Sequence, residues 1–203
     1  MFNPDIHHRQ SIRLRGFDYS ADGAYFVTLC TQGRECLLGE ITNGEMVLNA
    51  AGRMVREWWQ KLPERFPHVL LDAYAIMPNH FHGIIVIVGA APCGRPPLAP
   101  FESVYEIADT EQPNSKPGRP HGVAPTLGRV VGWFKTMTTN AYIQGVNQSN
   151  WPPFPGRLWQ RDYFERIIRD EKEMSAVSEY IVFNPMRWAD DKENPDYAST
   201  PMS

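Results

Sequence analysis

The sequence predicts an α+β domain, an antiparallel sheet with helices packed on one face. Three observations predict it. Short runs rich in β-branched and aromatic residues alternate with two longer segments of helical periodicity. Asn43-Gly44 marks a tight hairpin, and the break at Pro78-Asn79 joins two strand-like runs as antiparallel neighbours. A chain of 203 residues, 42% apolar and 21% charged, has the composition of an ordinary globular domain.

In order, residues 7–20 form a short basic arm in which Arg9, Arg13 and Arg15 could meet phosphates or simply stay solvated. A strand is expected from Ala24 to Thr31. Cys36 to Leu48 then reads as a hairpin about Asn43-Gly44. Asn49 can cap a helix over Ala50 to Phe66, with Met54, Val55, Trp58, Trp59 and Leu62 at helical spacing. Strands follow at Val69 to Met77 and His80 to Val88. Residues 89–125 hold eight of the 18 prolines and few apolar residues, and read as an insertion or long loop.

Thr126 can cap a helix running to about Gly145, whose apolar face leaves Arg129 and Lys135 outside it. A strand is expected from Leu158 to Ile168, in the most basic local stretch, with Arg157, Arg161, Arg166 and Arg169 around Tyr163. That mixture suits a nucleic-acid strand, and equally a half-exposed strand with ion pairs across it. Asp170 can cap a last helix over Glu171 to Phe183. Residues 186–203 read as an irregular acidic tail, folded back over a basic surface. This order of elements fits a ferredoxin-like or RRM-like sheet. The whole chain, 1–203, is then a single domain carrying one insertion.

Composition bounds the function. No apolar run approaches the roughly 18 residues that span a membrane, and the first residues lack a basic-then-apolar leader pattern. Cys30, Cys36 and Cys93 are odd in number and unpatterned, as expected of reduced thiols in a cytoplasmic protein. A net charge of −3 argues against bulk DNA binding, so a nucleic-acid partner would need a local patch.

The chemistry-bearing stretch is Met77-Pro78-Asn79-His80-Phe81-His82-Gly83. Side chains alternate along a strand, so His80 and His82 share one face while Phe81 anchors the other. Two imidazoles on one face can share a divalent metal ion, or can be two half-exposed histidines at a strand end. On the last helix Tyr180 and Asn184 are four apart and share a side.

Taken together, these segments resemble the HUH (His, hydrophobe, His) motif and tyrosine helix of the single-tyrosine transposases. Glu179-Tyr180-Ile181-Val182-Phe183-Asn184-Pro185, after a Trp-Gln-Arg-Asp-Tyr-Phe segment, resembles the branch of REP-associated tyrosine transposases. The resemblance covers about residues 8–88 and 126–195. It implies that His80, His82 and Asn184 bind Mg²⁺ or Mn²⁺ and that Tyr180 is the nucleophile. It implies single-stranded DNA beside a hairpin as partner, and a 5′-phosphotyrosine bond with a free 3′-hydroxyl as products. On the residues themselves, Arg13, Arg15, Lys135, Arg157, Arg161 and Tyr163 are the candidate DNA contacts, with Tyr163 a rival nucleophile. Two other classes stay open. One is a non-catalytic RRM-like module stacking bases on Tyr25, Phe26, Tyr163 and Phe164. The other is a metal-dependent hydrolase, for which His7, His8, His68 and His121 offer no patterned further ligands. Both a monomer and a homodimer are compatible with the sequence.

Overall fold

The computed structural model of the chain describes residues 23–88 and 126–197. The basic arm with Arg13 and Arg15, Cys93 and the 89–125 insertion lie outside the described residues.

Four strands form the main sheet: β1 (Gly23–Cys30), β4 (Val69–Ile76), β5 (His80–Ile87) and β6 (Phe164–Ile168). Their order is β4-β5-β1-β6 and every neighbouring pair is antiparallel. A separate hairpin pairs β2 (Gly39–Thr42) with β3 (Glu45–Leu48). Its turn residues Asn43 and Gly44 have φ of 54° and 78°, the left-handed pair that a two-residue hairpin of this twist needs. The helices are α1 (Ala50–Gln60), α2 (Leu62–Arg65), α3 (Leu127–Ser149) and α4 (Glu171–Val182).

The expected caps form. Asn49 accepts from the Gly52 amide, Thr126 from that of Arg129 and Asp170 from that of Glu173. Pro63 splits the expected 50–66 helix into α1 and α2, since proline in the first turn starts a helix more readily than it continues one. At the far end, α3 runs past Gly145 to Asn150, whose left-handed backbone stops it.

The expected α+β class holds, with one addition. α1 and α3 pack on one sheet face over Tyr25, Val27, Leu29, Phe81, Ile85 and Ile87. α4 lies on the other face, where Val177 and Ile181 cover Phe26, Ile84 and Ile168. The reason is the alternation itself. β1 and β5 carry apolar residues of both parities, so each face needs a cover.

The expected strand over 158–168 shortens to β6. Ahead of it only an isolated bridge, Thr31 to Trp159, continues the ladder. The Lys135 ammonium on α3 donates to the carbonyls of Gln160 and Arg161, in the stretch between that bridge and the start of β6.

Gly83 lets β5 pass beneath a core ring, because a Cβ there would sit 2.7 Å from the Trp59 indole. Gly83→Ala should destabilise the fold by about 1–3 kcal/mol through overpacking. Gly132→Ala on α3, with nothing within 4 Å of the new methyl, should stabilise it by roughly 0.5–1 kcal/mol. Urea melts of the two variants check both signs.

Candidate active site

β5 is an interior strand, so its first residues are sealed on both sides. His80 pairs across to Cys30 and His82 to Thr28. His80 is 0% exposed and His82 4%. Their rings lie 4.6 Å apart, and Phe81 points into the opposite core as the alternation requires.

Hydrogen bonds fix how the two rings present themselves. Asn79 donates through Nδ2 to the carbonyls of Arg34 and Glu193, at 3.0 and 2.6 Å. Its Oδ1 is therefore the acceptor for His80 Nδ1, 2.9 Å away. That assigns the proton to Nδ1 and leaves the Nε2 lone pair bare. Nδ1 of His82 pairs with the Thr28 hydroxyl at 2.8 Å, and its Nε2 also faces inward. Both Nε2 atoms are buried without a hydrogen-bond partner among the described residues, and so is Asn184 Oδ1.

α4 brings the other expected residues to this spot. Tyr180 stands 5.4 Å from the His82 ring and 6.0 Å from Phe26, centroid to centroid, and is 40% exposed. The helix ends at Val182, yet Asn184 keeps helical angles (φ −59°, ψ −42°), so the four-residue spacing survives. Asn184 is 2% exposed, and its amide interacts with both the His80 ring and the Tyr180 phenol.

Sequence reasoning missed the contribution of the chain beyond Asn184. A short 3₁₀ helix of two turns, Pro185–Asp190, sets Trp188 5.9 Å from the His80 ring. Asp191 Oδ2 then lies 3.7 Å from His80 Nε2. His80, His82 and Asp191 each offer a ligand atom, all within 4.8 Å of one another, a possible metal-binding group. The next residues hold the segment down. Glu193 pairs with Arg34 at 2.9 Å and accepts from the Cys30 thiol at 3.6 Å. The described part of the acidic tail, to Tyr197, thus folds back onto Arg34 and His80, with its first residues helical rather than irregular. No periodicity marks these residues; only their charge gave a signal.

The other candidates fall elsewhere. Tyr163 packs against the core of the α1/α3 face, away from the imidazoles. Lys135 is committed to two backbone carbonyls. Arg157 lines a shallow recess with Lys135, Thr139 and Asn140, and Arg161 is exposed on the neighbouring turn.

Electrostatics follow from burial. Desolvation lowers the His80 pKa, against the opposing pull of Asp191, Glu193 and the Asn184 amide. His82 is pushed well below its ordinary range, by burial first and then by His80. Burial raises the Tyr180 phenol, and the Asp191 carboxylate adds to the rise. Burial, followed by Glu193, pushes Cys30 up to about 12, so it stays a thiol.

No protein-family model matches the chain. It is 38% identical over 193 residues to an uncharacterized protein of Haemophilus influenzae, covering 94% of this chain and 96% of that one. Among solved structures it is similar to a REP-associated tyrosine transposase bound to a REP hairpin. That match has a TM-score of 0.52 and 18% identity, and covers 88% of this chain and 74% of the other.

The lowered histidines predict an acid-sensitive fold. Unfolded, each imidazole takes its proton near 6.5; folded, each resists it until lower pH. Between those values the unfolded state binds more protons, so stability falls as pH drops below about 6.5. Melting of cation-free protein from about pH 8 to about pH 5 should show this fall, and His82→Gln should shrink it. An unchanged slope in the variant would contradict the assignment.

The chain belongs to one family with the Haemophilus influenzae protein, and its α+β fold is that of the REP-associated tyrosine transposases.

Proposed function

We propose that this chain is a divalent-cation-dependent DNA strand transferase, cutting and rejoining single-stranded DNA beside hairpin repeats through a 5′-phosphotyrosine bond. The observation that carries the reading is the meeting of the Tyr180 phenol with the paired imidazoles, 5.4 Å from the His82 ring, across about a hundred residues of chain.

The donor set fits Mg²⁺ or Mn²⁺. Three polar atoms, His80 Nε2, His82 Nε2 and Asn184 Oδ1, are buried with no hydrogen-bond partner among the described residues. Buried acceptors left bare cost free energy, which a bound cation would repay. Such an ion supplies positive charge beside a phosphodiester and beside a phenol that must lose its proton.

The chain's residues do the rest. Tyr180 Oη attacks phosphorus, the bond to the 3′ oxygen breaks, and its electron pair takes up a proton to give the 3′-hydroxyl. The phenolic proton leaves to solvent through the exposed side of the ring. Phe26, against both His82 and Tyr180, holds the two rings in register. An aryl oxide is a good leaving group, so the 3′-hydroxyl can reverse the step and the bond energy is kept for rejoining. All these residues belong to one chain, which supports a site that works in a monomer.

Hairpin DNA is assigned by likeness to the transposase solved with a REP hairpin. Arg157 and Arg161, both exposed, are the described basic residues we place on the DNA, with Arg13 and Arg15 on the arm. The base-stacking module fits less well. Tyr25 is 0% exposed, Phe26 8%, and Tyr163 packs on the core, so Phe164 alone of those four offers a face. The hydrolase reading keeps one favourable observation, since two imidazoles and a carboxylate also suit water activation.

The test is a 3′-labelled single-stranded oligonucleotide carrying a hairpin repeat, taken from the DNA beside the gene where such repeats occur, incubated with the protein and Mn²⁺. Labelled protein should appear on denaturing gels. Tyr180→Phe should cut the adduct by roughly 10³-fold or more while leaving DNA binding intact, and Tyr163→Phe should keep it. Turnover without an adduct supports the hydrolase, and an adduct that depends on Tyr163 overturns the nucleophile.

A further inference from the structure

We infer that Asp191 is a further ligand of the cation that His80 and His82 would hold, so that cation binding and docking of residues 185–197 stabilise one another. The inference rests on the cation-dependent reading above.

The geometry around Asp191 is that of a positioned ligand. One carboxylate oxygen, Oδ1, accepts from the Glu193 backbone amide at 2.8 Å. That leaves Oδ2 aimed at His80, 3.7 Å from Nε2. Because His80 donates its Nδ1 proton to Asn79, the atom facing Oδ2 is a lone pair. Two acceptors at that separation, one on a fully buried ring, repel unless something positive stands between them. A divalent ion satisfies Asp191, His80 and the orphaned His82 Nε2 together.

The segment carrying Asp191 is built to hold it there. Arg34 grips it through Glu193 at 2.9 Å and the Lys192 carbonyl at 3.2 Å. Asn79, which orients His80, also donates to the Glu193 carbonyl. Asn194 closes the turn onto the Trp188 carbonyl at 2.9 Å. One asparagine thus connects the imidazole to the segment that supplies the carboxylate. A ligand on a separately anchored segment makes the ion a clasp. By linkage, whatever the segment adds to cation affinity, the cation adds to docking.

The experiment compares full-length wild type, Asp191→Asn, Arg34→Ala and His80→Ala. Mn²⁺ binding is read by loss of the free-ion paramagnetic resonance signal. Trypsin cleavage after Arg187 and Lys192, both exposed, is read with and without Mn²⁺. Loss of the carboxylate in Asp191→Asn should weaken Mn²⁺ binding about tenfold or more. Arg34→Ala, which leaves every ligand in place, should weaken it about threefold through the lost anchor. Mn²⁺ should slow cleavage in wild type and fail to do so in Asp191→Asn and His80→Ala. If Asp191→Asn binds Mn²⁺ as wild type does and is equally protected, while His80→Ala loses binding, this inference is overturned and the cation site stands. If wild type and His80→Ala bind no better than each other, the cation-dependent reading itself falls.

Discussion

Desolvation of polar atoms on one face of the sheet is the constraint on which the site depends. His80 Nε2, His82 Nε2 and Asn184 Oδ1 are buried with no hydrogen-bond partner among the described residues. Buried acceptors of this kind cost on the order of 1–3 kcal/mol each. A fold spends that only where something outside the chain returns it. The cost arises because β5 is interior: β1 and β4 seal its edges, and α4 and the chain after it close the face above. The same closure places the Tyr180 phenol and the Asp191 carboxylate within reach of the imidazoles.

Asn79 has a larger part than its size suggests. Its one side chain sets the His80 tautomer and ties β5 both to Arg34 and to the segment after α4. Beneath it, Phe81 locks the strand from the other side against Trp59 and Phe134. Rigid backing on one face and a polar link on the other hold the two rings in a fixed relation, which the proposed reaction at phosphorus would require.

Much of this was legible in the sequence, because the signals were local. Asn49, Thr126 and Asp170 announced their helices by capping chemistry, and Asn43-Gly44 its hairpin. The period of a strand put His80 and His82 together, and the period of a helix put Tyr180 beside Asn184. Their meeting in space rests on α4 covering the His82 face of the sheet, which the order of strands alone does not set. What the sequence withheld were effects of long-range partners. β6 begins only at Phe164, after a stretch whose carbonyls bond the distant Lys135 ammonium. The second apolar face of β1 and β5 drew α4 to the side opposite α1 and α3. Asp191 and Glu193 sit in an aperiodic tail, so only their sign of charge hinted at where they would dock. The parity of Tyr163 against Phe164 could have sent Tyr163 to the core face, had the β6 register been known.

The central claim, that the buried acceptors hold a divalent cation beside the phenol, is tested most directly by anomalous diffraction from crystals soaked in Mn²⁺. The account predicts a peak about 2.0–2.2 Å from Nε2 of both His80 and His82, on the Tyr180 side of the sheet. No peak there at millimolar Mn²⁺, with the two Nε2 atoms meeting only water, would contradict it.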